Sequence, residues 1–393
     1  VGADGNLYIY ERGREPIAVT QDAGNDDSDP VARFYSDPTW SPEGWLSFVQ
    51  LAFVGGAASV DVLALNPGGS ERQTLLSTTD ESYVYGYWSP AACSEGPECG
   101  RFAFLMSEEG QIGFYLSEVG AGEAQTEQLR VSDSHYYSWA PDGESMLWFR
   151  DGEELSVYEV GTDSITRDYA PPFGFFQSPN WSPVDDRLLF AQANNRGEAT
   201  SRLTVARGTE LASVGEAFAG FAAFSWSPDG ERIALATGDG IPYGRLRIAD
   251  AAGGAAVEAA PLSDILAFFW APDGEKLAVV TIEEAGDNFE ARRFSRHRQD
   301  RSLALVWHLV DATTGEVTRL AEFLPTQDQL YALQFFDQYA QSHQVWSPDS
   351  RYIAYAGVAD ADATPMISII DTQNPTLPPQ MLTEGRSAVF SFK

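Results

Sequence analysis

Apolar and polar positions along this chain change over in short runs instead of recurring at helical spacing. "RIALAT", "KLAVVT", "RYIAYAG" and "RFAFLM" are each of strand length, and each follows a Pro- or Gly-bearing turn signal. The stretch "FSWSPDGERIALAT", residues 224 to 237, holds the unit in full: an apolar run ending at Trp, a Ser-Pro-Asp-Gly turn and a second apolar run. In such a turn Pro presets φ at the second position and Gly accepts the tight exit. Third runs follow ("GRLRIAD", "MISIID", "LSVYEV"), then short fourth ones ("VTRLAEF", "QTEQLRV"), so the pattern predicts four antiparallel strands per unit.

The unit recurs. Trp40, Trp88, Trp139, Trp181, Trp226, Trp270 and Trp346 each head a Trp-Ser-Pro or Trp-Ala-Pro triplet, at spacings of 48, 51, 42, 45, 44 and 76 residues. A period in the forties in an all-strand context is that of a propeller blade. One four-stranded sheet cannot cover both of its faces alone, whereas radial packing of neighbours around an axis covers both and leaves only short edges. The Trp side chains and their apolar neighbours are then the filling between blades. Two unmatched strands, "NLYIY" and "EPIAVT", precede Trp40, and one, "SAVFSF", ends the chain. The expectation is therefore an all-β, eight-bladed β-propeller forming a single domain over residues 1–393. A composite blade of N- and C-terminal strands closes it, and its missing strand lies before Val1. Seven blades is the alternative.

The units "WSPDG" at Trp226, "WAPDG" at Trp139 and Trp270 and "WSPDS" at Trp346 resemble the PD40 repeats of TolB-like, WD40-like propellers, over nearly the whole chain. Trp40 ("WSPEG"), Trp88 ("WSPAA") and Trp181 ("WSPVDD") depart from the pattern. The resemblance implies the fold. It leaves function open, because this architecture serves envelope scaffolds, gating domains of oligopeptidases and some lyases.

Charge narrows the partners. Against 57 acidic residues stand 25 basic ones, a formal net charge of −32, and a field of that sign repels nucleic-acid backbones and anionic membrane surfaces. No run approaches the roughly 18 apolar residues of a membrane-spanning helix. The chain opens on a turn and a strand without the regions of a signal peptide, so Val1 reads as a cut end, with any export signal or lipid anchor upstream. Cys93 and Cys99, the two cysteines, share the Gly/Pro loop "AACSEGPECG". A disulfide between them suits an extracytoplasmic site, periplasmic, cell-surface or secreted; two free thiols or half a metal site is the other reading.

The wide spacing before Trp346 holds two insertions, at 283–302 and 325–345. The first carries Arg292, Arg293, Arg296, His297, Arg298 and Arg301, a basic cluster on an acidic protein. It either docks an acidic partner segment through guanidinium forks or is a solvated hairpin extension. The second carries Tyr331, Phe335, Phe336 and Tyr339 beside Asp337 and His343. It is expected as a lengthened inner strand or a short helix on the rim, with its aromatics serving as extra core or as a recognition surface. "NDDSD" at 25–29 and "DADA" at 360–363 offer carboxylates to calcium but lack the spacing of a calcium loop. No cofactor is otherwise implied.

Catalytic motifs are missing: there is no G-x-S-x-G, H-E-x-x-H, phosphate-cradling G-x-x-x-x-G-K or G-x-G-x-x-G. His135 and His343 both precede a blade Trp, but at offsets of four and three, which turns them to opposite faces of a strand. Two histidines also fall short of a catalytic metal's ligand set, and His297 and His308 lie elsewhere. The expectation is a non-catalytic exported propeller acting as a protein-interaction scaffold or accessory subunit. A glycan or small-ligand binder using the axial funnel, and a propeller hydrolase or lyase, are the alternatives.

Overall fold

The computed structural model describes residues 1–24, 31–91, 99–169, 177–193, 200–284, 303–358 and 363–392. Strands make up 58% of the structure and helices 4%, so the fold is all-β. Among the described residues six units have four antiparallel strands each, in simple sequence order. Their first strands are Val31–Trp40, Ser82–Trp88, His135–Trp139, Asn180–Trp181, Phe221–Trp226 and Ile265–Trp270, and every one ends on a Trp of the repeat. We call these sheets one to six. Sheet seven comprises Tyr352–Val358, Met366–Asp371 and Gln380–Glu384, with Trp346 bridged to Ile353 at the first-strand position.

The turns explain the repeat. In sheet five the Gly230 N–H donates to the Ser227 carbonyl at 2.9 Å with Gly230 at φ 69°, a left-handed exit that glycine takes without strain. The Asp229 carboxylate accepts the Glu231 N–H at 3.0 Å, and the Ser227 hydroxyl accepts that of Arg232 at 2.9 Å. Ala140 and Gly143, Ala271 and Gly274, and Ser347 and Ser350 repeat the same turn, the last with Ser350 held at φ 59°.

Four of the repeat Trp residues also tie their sheet to the one before, while the buried Trp270 N–H finds no partner among the described residues. The Trp88 Nε1–H donates to the Thr39 carbonyl at 3.0 Å, Trp139 to Tyr87 at 3.4 Å, Trp226 to Asn180 at 3.5 Å and Trp346 to Phe269 at 3.2 Å. In each case the acceptor is the residue immediately before the preceding Trp. Burying an indole is favourable only if its N–H keeps a partner, and a neighbouring strand's carbonyl supplies one. Trp181 departs in structure as in sequence: its indole donates to Asp185 within its own turn, at 3.0 Å.

Arginines at the start of second strands add a second tie. Arg101, Arg187 and Arg232 donate to the carbonyls of Gly143, Gly230 and Gly274, in the turn of the following sheet. Arg187 and Arg232 also lie over the rings of Trp226 and Trp270, at 4.9 and 5.2 Å.

Sheets seven and one are joined differently. A two-stranded hairpin, Tyr8–Ile9 with Ile17–Ala18, lies between them. Leu7 packs with Tyr35, Leu46 and Phe48 of sheet one, and Arg12 reaches the Tyr352 hydroxyl of sheet seven. The expected terminal strand "SAVFSF" is not a strand: Arg386 and Ser387 pair with Val1, and the Phe390 N–H turns to the Gln344 carbonyl. Burial there is partial, so the segment follows its neighbours without completing a ladder.

Candidate functional site: the filled axis

The first strand of sheet seven is broken. Leu324 and Pro325, at the end of Val317–Pro325, pair with Val358 and Gly357, while Trp346 bridges Ile353 at the other end of the same strand. Between them the chain leaves the sheet as two helices, α1 (Gln327–Gln334) and α2 (Phe336–Tyr339). Thr326 caps α1 by accepting the Gln329 N–H at 3.1 Å, and the Gln329 Oε1 accepts the Ala356 N–H at 3.0 Å, replacing the absent strand partner.

These helices lie on the axis. The Thr39 hydroxyl of sheet one donates to the Ser342 carbonyl at 3.1 Å, and the Tyr339 hydroxyl donates to Val84 of sheet two at 3.2 Å. Ser178, ahead of sheet four, donates to the Asp337 Oδ2 at 2.9 Å, and Phe336 meets Phe268 of sheet six edge-on at 4.8 Å. One insertion thus touches the first strands, or their approaches, of sheets on every side. The expectation of a lengthened strand or a helix on the rim is corrected: an apolar face of Leu333, Phe336 and Tyr339 finds more surface to bury against where all the sheets converge. The aromatics divide in burial. Phe336 and Tyr339 are buried, while Tyr331 and Phe335 are 52% and 38% exposed and pack on each other at 5.0 Å.

Beside the helices remains a cavity of about 360 Å³, lined by Asp37, Tyr83, Asp328, Tyr331, Tyr339 and His343 among others. Asp37 sits at φ 51°, inside a register shift between Ser36 and Thr39. Burial pushes the Asp37 and Asp337 carboxyls up, more than their hydrogen bonds to Ser36 and Ser178 pull them down. The irregular "SDP" just before Trp40 was the available sequence signal for Asp37, and the basic residue after each turn was that for the arginine ties.

The histidines do not assemble. His135 begins the first strand of sheet three, stacked on Phe114 at 4.8 Å and edge-on to Trp148, and burial pushes its pKa down to about 3. His343 lies past α2 and not on a strand, edge-on to Tyr339, with its pKa lowered by burial to about 4. The His308 Nε2–H donates to the Glu283 carboxylate at 2.9 Å, with the Thr281 hydroxyl 3.0 Å from the same nitrogen, in sheet six. Among the described residues no three His, Cys, Asp or Glu are grouped to hold a metal ion.

Other expected residues fall elsewhere. Arg292, Arg293, Arg296, His297, Arg298 and Arg301 lie outside the described residues, as do Cys93, 25–29 and most of 360–363. Cys99 is described, and no described cysteine is a free thiol. No helix among the described residues is long and apolar enough to cross a membrane.

Comparison with solved structures fits this geometry. An oligogalacturonate lyase from Vibrio parahaemolyticus matches with a TM-score of 0.54 at 13% identity, over 83% of this chain and 85% of that one. The β-propeller domain of the Trilobed protease from Pyrococcus furiosus, described as having an open velcro topology, matches with a TM-score of 0.51 at 14% identity, over 90% and 96%. The chain is a β-propeller. The C-terminal WD40 domain of Sif2 matches this propeller too, with a TM-score of 0.50 at 13% identity over 89% and 86%, and TolB is among the further matches. No family model and no curated protein matches the sequence. The propeller's structural matches include enzymes and non-enzymes, and identities this low carry the fold alone.

Proposed function

We propose that this propeller is a non-catalytic, exported interaction scaffold or accessory subunit of an envelope or extracellular assembly, taken as one domain of eight units. The observation that carries this reading is the filled axis: the position where a propeller funnel would receive a substrate is occupied by the chain's own α1 and α2. What the molecule offers instead is surface. Tyr331 on α1 and Phe335 just past its end are exposed, and α1 leaves sheet seven beside Gly357. The arginine-rich connection leaves sheet six beyond Glu284, at the end where the first strands start. Aromatic and arginine side chains together are the usual composition of a protein-binding patch. An acidic partner segment fits the guanidinium forks. A Cys93–Cys99 disulfide accompanies the exported reading, and intact mass before and after reduction and alkylation tests it.

The function is tested by crosslinked native purification. Arg292→Glu with Arg293→Glu, and separately Tyr331→Ala with Phe335→Ala, are expected to remove the partner while leaving the melting temperature within a few degrees. Retention of the partner by both variants overturns the reading. The residual cavity favours a second reading, a small ligand held among Tyr83, Tyr331, Asp37 and Asp328. A thermal-shift panel of amines and oligosaccharides checks it, with Asp37→Asn as the control that abolishes any shift.

A further inference from the structure

The seam between sheets seven and one holds a groove of about 1190 Å³. Its walls are apolar on both faces. Half-buried Ile9 and Trp40 line one side and half-buried Leu382, Val389 and Phe390 the other, over a floor of buried Leu7, Leu46, Ala354, Ile367 and Ile369. Exposed Tyr8, Tyr10 and Phe392 border it, an unusual density of apolar surface on so acidic a protein.

The backbone on its two long edges is also turned inward. The Val19 N–H donates to the Leu7 carbonyl, and Ile9 stands opposite Ile17 while Tyr8 stands opposite Ala18. In an antiparallel pair hydrogen-bonded and non-hydrogen-bonded positions alternate, so the Tyr8 N–H and C=O face away from the hairpin partner and into the groove. On the other edge the Phe390 N–H turns to Gln344, which leaves the neighbouring Val389 amide facing the opposite way. Sheets one to six each have four strands. Here two strands and one extended segment flank a gap.

We infer that this groove accepts one extended strand from another polypeptide, a β-strand addition between Tyr8–Ile9 and the 388–392 segment. Both faces of such a strand meet apolar walls, so its middle is a continuous run of β-branched residues, as in a strand buried on both sides. Its ends are basic. Asp4, Glu11, Glu43, Asp349 and Glu384 line the groove, and Arg12 is the basic residue among the described lining. That charge excess attracts Lys or Arg flanking the run. Asp349 and Glu384 line this groove and Tyr331 does not, so the two docking proposals fail independently.

The test uses a fluorescent ten-residue peptide with a Val, Ile and Thr core and two lysines at each end, titrated into the chain beginning at Val1 and followed by anisotropy. Saturable one-to-one binding is expected. It should weaken at least tenfold when alternate core residues of the peptide are replaced by Pro, which removes ladder donors and keeps the apolar character. Asp349→Lys with Glu384→Lys, both at exposed positions, is expected to weaken binding several-fold at low salt and much less at high salt. Equal binding of the Pro peptide overturns strand addition. Indifference to the rim charges overturns the basic-ended partner. A concentration-dependent dimer that the peptide fails to dissociate assigns the groove to a second copy. That result overturns the inference.

Discussion

The boundary between sheets two and three and the seam between sheets seven and one do the same job by different means. At the first, the Trp139 indole reaches Tyr87, the Tyr137 hydroxyl reaches the Ala103 carbonyl, and Arg101 reaches Gly143 across a core of Tyr87, Trp139 and Trp148. At the second, Arg12 to Tyr352 ties the hairpin to sheet seven beside an open groove, and Arg72 to Val19 and Tyr35 to Asp22 tie the N-terminal segment to sheet one. Repetition builds the first kind of boundary: Trp88, Trp139, Trp226 and Trp346 each bring the indole donor, and Arg232 ties sheet five to the turn of sheet six. The seam joins the two ends of the repeat, where no unit supplies them, and it falls to contacts made once.

That contrast can be broken at several points. Trp139→Ala should cost about 3–5 kcal/mol in denaturant unfolding, the range for emptying a buried aromatic site. The pH dependence should be nearly as large. The folded pKa of His135 is about 3 against an ordinary 6.5, so the unfolded chain takes up a proton that the folded one refuses as pH falls below 6.5. Stability is then lost from that point downward, about 3 kcal/mol by pH 4 from this group. His135→Phe, which keeps the stack on Phe114, should flatten the stability profile between pH 6.5 and 4; an unchanged slope would refute the assignment.

Trp88→Phe keeps one aromatic ring and loses the pyrrole ring with its N–H bonds to Thr39 and Ser47, a cost of about 2 kcal/mol. Asp337→Asn should act in the opposite direction. Because burial raises the folded pKa of Asp337, the carboxyl opposes folding above its ordinary range, and the amide oxygen still accepts from Ser178. A raised unfolding midpoint at pH 7, fading as the pH is lowered toward 4, is the expected readout. At the seam, Arg12→Ala should change stability by only about 0.5 kcal/mol, since its bond is solvent-exposed. If it costs as much as Trp139→Ala, the two boundaries are not different in kind.

Much of the fold was legible because the repeat is written locally. Ser-Pro-Asp-Gly dictates a turn wherever it occurs, and a Trp at the end of an apolar run marks a strand end, so the first strands end where the pattern placed them. The axial site was not legible in the same way. "QDQLYALQFFDQYAQS" has few β-branched residues, which agrees with helix, but its position on the axis depends on six other sheets converging there. Asp37 gains its burial from Tyr83 and from α1, both distant in the chain. The division of Tyr331 and Phe335 from Phe336 and Tyr339 likewise follows from which side of each helix meets the converging strands.

The sequence by itself determined the unit: a Trp-terminated strand, a Pro-led turn and alternating strands, all set by interactions within about ten residues. It also determined the field of the molecule, since charge is counted without knowing where it lies. Tertiary structure alone decided how the ring is occupied and joined. An insertion fills the axis and a hairpin stands in the seam because those outcomes depend on surfaces hundreds of residues apart being brought face to face, and no local pattern encodes what such surfaces leave uncovered.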